Sequence, residues 1–120
     1  MYVKLVIYVP KKDKDKMLEK LFSLGAGHFG NYDSYSFVNE GTTTFRALDT
    51  ANPAKGRKNK ITKVKEVKIE TICKENEYQL IIKEIRKLHP YEEPAICAYK
   101  IEDISLRFKN NTTHMPLLLY

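Results

Sequence analysis

Cysteine is scarce. Cys73 and Cys97 are the only two in 120 residues, and they stand far apart with no CxxC spacing, which excludes a disulfide framework and a zinc knuckle. Both fall in segments that read as apolar strands, so they are expected as buried free thiols in a reducing, cytoplasmic setting. No apolar run is long enough to span a bilayer, and a membrane is not an expected partner. The start, Met1-Tyr2-Val3-Lys4-Leu5, alternates into Pro10 and a lysine-rich stretch without the apolar core and small-residue cleavage site of a signal peptide. Glycine is sparse too, yet three of the five glycines fall in residues 25–30. That cluster lacks the Lys-Ser/Thr ending of a Walker loop and follows a helical stretch rather than a strand, so both phosphate-cradle motifs are excluded and no cofactor is specified. Acidic residues are missing altogether from 55–65. There Lys55, Arg57, Lys58, Lys60, Lys63 and Lys65 match in number the formal net charge of +6, and charges elsewhere roughly balance. Without interleaved aromatics or a helix-turn-helix pattern, this reads as a solvated basic loop, with an anionic partner as the alternative and nucleic acid not the expected one.

What is present describes one domain. A hydrophobic content of 42% over 120 residues supports a single core without a structural metal. In residues 2–9, Val3, Leu5, Ile7 and Val9 alternate with Val6 and Tyr8, as in a central strand covered on both faces. Met17, Leu18, Leu21, Phe22 and Leu24 recur at three-and-four spacing and predict a helix over 12–24, ended by Gly25. Residues 34–38 and 42–46 alternate about Asn39-Glu40-Gly41, which predicts a short inserted hairpin, followed by a loop to Lys60. Val67, Ile69, Thr71 and Cys73 then form one face of a strand whose other face, with Glu66, Lys68 and Glu70, is expected to be wet. Tyr78, Ile81, Ile82, Ile85 and Leu88 stripe a second helix over 75–88, and 95–101 closes as a strand. This order is the split βαβ pattern of an α+β, ferredoxin-like (βαββαβ) sandwich with both helices on one side of an antiparallel sheet. The domain is expected over 1–102, with 103–120 a C-terminal extension whose apolar end, Met115 to Tyr120, docks on its own or a neighbouring subunit. The bare sheet face calls for cover by other copies, and a homotrimer is expected.

The densest chemistry lies in His89-Pro90-Tyr91-Glu92-Glu93-Pro94-Ala95. Pro90 stops the helix and Pro94 sets the entry to the last strand, so His89, Tyr91, Glu92 and Glu93 are held at a rigid corner. A helix-to-strand connector and a ligand or divalent-metal corner are both compatible with these residues. Both helix-to-strand corners are expected at the same end of the sheet, which would bring Gly27, His28, Asn31 and Asp33 of the glycine-rich turn into the same ligand-binding set. No known catalytic motif occurs, and an enzyme would have to be built on that one corner.

Six separated blocks carry a resemblance. They are Gly25-Ala26-Gly27-His28-Phe29-Gly30-Asn31-Tyr32-Asp33-Ser34 with Ser36-Phe37, then Gly41-Thr42, Thr44-Phe45-Arg46, Ala51-Asn52-Pro53, Val67-Lys68-Ile69-Glu70-Thr71, and the corner of residues 89–95. Together they resemble the YqfO domain, the PII/CutA-like module inserted in many bacterial Nif-three-like dinuclear-metal proteins. The resemblance covers about residues 2–101. It implies a ferredoxin-like fold, a trimer, and a non-catalytic module binding a small ligand or metal. The metal ligands of the full-length family lie in flanking domains that this chain does not contain, so the dinuclear site is not carried over.

Overall fold

The computed structural model describes residues 1–102. Its elements are strand β1 (Tyr2–Pro10), a 3-10 turn (Lys11–Asp13), helix α1 (Lys14–Ser23), strands β2 (Phe37–Arg46) and β3 (Ile61–Lys74), helix α2 (Tyr78–Leu88) and strand β4 (Ile96–Ile101). The strands form one sheet in the order β2-β3-β1-β4, every neighbouring pair antiparallel. This is the expected ferredoxin-like arrangement. The expected extension over 103–120 lies outside the described residues.

β1 sits in the middle because its side chains suit both faces. Val3, Leu5, Ile7 and Val9 are fully buried against the helices with Val67, Ile69 and Cys73 of β3, Met17 and Leu21 of α1, and Ile81 and Ile85 of α2. α1 ends in a Schellman motif. Gly25 adopts φ +98°, its N–H reaches Phe22 O (3.1 Å), and Ala26 N–H reaches Leu21 O (3.0 Å), which satisfies carbonyls the helix leaves open. Burial, and after it the charge of Glu77, pushes the Cys73 thiol up to about 11, whereas Cys97 is only half-buried.

Two expectations are corrected. The inserted hairpin about Asn39-Glu40-Gly41 is instead one ten-residue strand, in which Gly41 lies opposite Glu66 and the chain runs straight on to Arg46. Fourteen-residue β3 gives every one of those ten residues a ladder partner, and an early turn would forfeit most of them. The true hairpin joins β2 to β3 through residues 47–60. The supposedly wet face of β3 is also only half wet, because Glu66 is 4% exposed and Ile72 8%. Further along that face Glu70 holds Lys4 (3.0 Å) and Lys68 (3.2 Å), and those two partners lower its pKa. That pair of contacts therefore contributes stability at neutral pH, and loses it as pH falls through the depressed carboxyl pKa.

β3 also outruns the sheet. From Glu66 to Lys74 it pairs with β1, but Ile61 to Lys65 pair only with β2, leaving a two-stranded arm beyond the helices. The basic run belongs partly to this arm, since Lys63 and Lys65 lie on β3 rather than in a loop.

Gly27 is the tightest backbone position. It has φ +81°, donates to Ile72 O (2.7 Å) and accepts from Tyr35 N (3.0 Å), and a Cβ there would lie 2.7 Å from both Tyr35 N and Tyr35 O. Gly30, at φ +54°, has open space where a Cβ would point. Gly27→Val is expected to cost about 3 kcal/mol or more and Gly30→Val about 1 kcal/mol, read by chemical denaturation. Equal losses would show that the Tyr35 contact is immaterial. Alkylation adds a second check: Cys73 should react at pH 8 only in denaturant, and labelling of the native chain at Cys73 would contradict its burial.

Candidate functional site

α2 stops where Pro90 forbids a further helical turn, and His89 takes an extended conformation (φ −66°, ψ 136°). The imidazole is then folded back onto β1, 7% exposed. Nε2 donates to Tyr8 O (2.7 Å), and Nδ1 accepts from Tyr91 N–H (3.1 Å), which fixes the Nε2–H tautomer. Tyr8 N–H in turn donates to Ala95 O (3.1 Å). Tyr8 therefore pairs with the corner on both of its backbone groups, and the His89 ring takes the acceptor that an extended β4 would otherwise have used. The corner is a prolongation of the sheet made with a side chain.

Held in this way, Tyr91 turns onto the sheet face opposite the helices, its ring 5.1 Å from that of His89 and 6.4 Å from that of Phe45. A cavity of about 710 Å³ opens there between the corner and the arm, with Tyr8 and Glu66 on the sheet, Phe45 and Leu48 on the arm side, and Tyr91, Glu92 and Glu93 on the corner side. Asn52 N–H donates to Glu92 Oε1 (3.1 Å) and ties the loop after β2 to the corner. Glu66 accepts from Thr43 Oγ1 through Oε1 (2.6 Å), while its Oε2 and the Tyr91 hydroxyl are both buried without a hydrogen-bond partner among the described residues. Burial first, then the neighbouring Glu66, and last the charge of Asp13, push the Tyr91 phenol far above its usual range.

The other sequence candidates stand elsewhere. His28 and Asp33, both exposed, border a smaller recess of about 260 Å³ with Glu77 and Lys74. Asn31 is exposed nearby and Gly27 is buried in the turn. The expectation that both helix-to-strand corners share one end of the sheet is overturned by the topology. β3 runs antiparallel to β1, so α1 and α2 descend in opposite directions, and the two corners sit roughly 20 Å apart along the sheet, six ladder positions from Ile72 to Glu66. The structure brings Tyr91, Glu92 and Glu93 together with residues that periodicity did not single out, Tyr8, Phe45 and Glu66. A signal for them did exist: Thr44-Phe45-Arg46, Ala51-Asn52-Pro53 and the corner, quoted above as separate blocks of one resemblance, supply most of this cavity's walls. Among the described residues no group of three or more His, Cys, Asp and Glu side chains is placed to hold a metal ion.

The fold is CutA-like and ferredoxin-like, an α+β sandwich with two helices over a four-stranded antiparallel sheet. The CutA1 divalent ion tolerance protein family model matches residues 57–113. The chain is 41% identical over 98 residues to a Halalkalibacterium halodurans protein named GTP cyclohydrolase 1 type 2 homolog, and 37% identical over 99 residues to that of Bacillus subtilis; each match covers 82% of this chain. It spans about a quarter (26%) of the length of those relatives. Among solved structures, the NIF3-related protein of Bacillus cereus superposes with a TM-score of 0.74 at 33% identity, over 85% of this chain and 26% of that one. The periplasmic divalent cation tolerance protein CutA of Archaeoglobus fulgidus superposes with a TM-score of 0.67 at 17% identity, over 92% of this chain and 93% of that one, a likeness of fold. No helix among the described residues is long and apolar enough to cross a membrane.

His89→Ala should lower stability by roughly 2 kcal/mol, since it removes two buried hydrogen bonds and leaves Tyr8 O unpaired. With both ring nitrogens engaged, zinc titrated calorimetrically into wild type and His89→Ala should give the same heats. Loss of zinc binding in the variant would return His89 to the role of a ligand.

Proposed function

We propose that this chain is a non-catalytic, self-assembling module that binds a small ligand in the cavity between the 89–95 corner and the β2–β3 arm. The observation that carries this is the cavity itself. It is of the size that small-molecule sites occupy, and it is walled by aromatic rings around a few buried polar atoms. The corner bordering it is pinned in place by His89, so that wall is formed before any ligand arrives. A small ligand is preferred to a bare metal ion because hard cations require several converging oxygens, and Glu66, Glu92 and Glu93, though all on the lining, form no converging group. The cyclohydrolase name belongs to proteins about three times as long, and nothing in this reading depends on it.

Self-assembly as a homotrimer is supported by the uncovered sheet face and by the arm. Phe37 and Tyr99 point from that face into solvent, 57% and 55% exposed, and Ile61 on the arm is 72% exposed. Two-stranded ribbons are marginal in water, so an arm held only by β2–β3 pairing gains most from a neighbour's surface. The CutA-like resemblance supports three as the number of copies, and the buried Cys73 thiol suits a reducing cytoplasm. Light scattering at micromolar concentration should return the mass of three 14.0 kDa chains. Phe37→Glu and Tyr99→Glu should shift it toward one chain. A monomeric wild type would overturn the assembly.

A further inference from the structure

Glu66 is the group the fold does not explain. It stands on β3 opposite Gly41, almost wholly buried, and has no cationic partner within ion-pair distance among the described residues. Thr43 satisfies Oε1 at 2.6 Å, a length typical of a hydroxyl donating to a carboxylate, but Oε2, on a residue that lines the cavity, has no hydrogen-bond partner among the described residues. The Tyr91 hydroxyl beside it is likewise unpartnered, and Asp13 contributes a second unpartnered buried oxygen, Oδ2, close enough for its charge to be felt at that hydroxyl. A buried carboxylate oxygen left without a partner is strongly unfavourable, and native proteins keep such groups where a ligand or ion completes them. The missing partner must therefore be a donor, and a positive one suits the two acids best.

The lining argues which donor. A bare divalent ion beside Glu66 Oε2 would find that oxygen and one phenol, and although Glu92 and Glu93 also line the cavity, no three His, Cys, Asp or Glu side chains among the described residues converge to hold a metal, nor is there the nitrogen or sulfur that zinc or copper prefers. An ammonium group, by contrast, carries several N–H donors on one atom. It can serve Glu66 Oε2 and Tyr91 Oη at once, and the faces of Tyr91, Tyr8 and Phe45 stabilise a neighbouring cation through their ring quadrupoles. The rest of the lining joins apolar Leu48, Ala51 and Pro53 to the charged Arg46, Lys55, Glu92 and Glu93, and the cavity is far larger than one ammonium.

Taking the ligand-binding reading of this cavity as its basis, we infer that the ligand is a small organic cation, whose ammonium lies between Glu66 Oε2 and the Tyr91 hydroxyl and whose apolar body lies against Phe45 and Leu48. Calorimetric titration of the full chain with four probes tests this: phenethylammonium, neutral 2-phenylethanol, phenylacetate and zinc chloride. Phenethylammonium should bind at least about tenfold more tightly than 2-phenylethanol, and that preference should vanish in Glu66→Gln, which keeps an oxygen for Thr43 but neutralises the site. Tyr91→Phe, which leaves the ring wall intact, should weaken phenethylammonium severalfold, and it supplies the answer if Glu66→Gln fails to fold. Equal affinity for the charged and neutral probes, a preference for phenylacetate, binding of zinc alone, or an unchanged preference in both variants would each overturn the inference. Binding of the neutral or anionic probe that is lost in Phe45→Ala would leave the ligand module standing without its cation. Absence of binding by all four would remove both.

Discussion

The molecule depends on β1 being paired along both edges while its inward side chains are sealed from water. Nine ladder positions with β3 and six with β4 fix the register of the whole sheet about this strand. A shift of one residue would turn Val3, Leu5, Ile7 and Val9 out of the core and Lys4 and Tyr8 into it, so the register has no near competitor. Everything near the cavity inherits its position from that register. Pro10 stands opposite Glu66, Glu66 opposite Gly41, and Tyr8 is left at the point where β4 has not yet begun. The open place beside Tyr8 is what the His89 ring fills.

A histidine buried between a carbonyl and an amide looks, in a sequence, the same as a histidine waiting for a metal. The difference lies in its partners, and those are 81 and two residues away. By accepting one hydrogen bond and donating another, His89 turns a connector into a wall, and Tyr91 is presented to Glu66 as a result. The two prolines made the rigidity of this corner legible, but the direction in which it points is decided by Tyr8.

Legibility followed the range of the interaction. The alternation of β1, the stripe of Met17, Leu18, Leu21 and Phe22, and the stripe of Ile81 and Ile85 are local patterns, and each appears as an element close to the expected bounds. Gly25 as a helix stop was equally local. The continuous β2 was not, because Asn39-Glu40-Gly41 has the composition of a turn and only the length of β3 opposite makes it extended. Glu66 has the same character. Its place in an alternating run assigns it to water, and only the arrival of Tyr91 from 25 residues downstream withdraws it. The misplacement of His28 and Asp33 came from treating both helices as descending the same way, whereas antiparallel strands oblige them to descend oppositely.

The unequal lengths of β1 and β3 make the arm a lever. Its five ladder pairs extend roughly 17 Å past the last residue of β1, and neighbouring strands in such a ribbon twist more freely than those clamped inside a sheet. One wall of the cavity is thus anchored through His89 to the stiffest strand of the molecule, while the opposite wall rides on its most compliant part. The Asn52 N–H to Glu92 Oε1 hydrogen bond ties these two walls together, and the loop that closes the arm carries Arg57, Lys58 and Lys60.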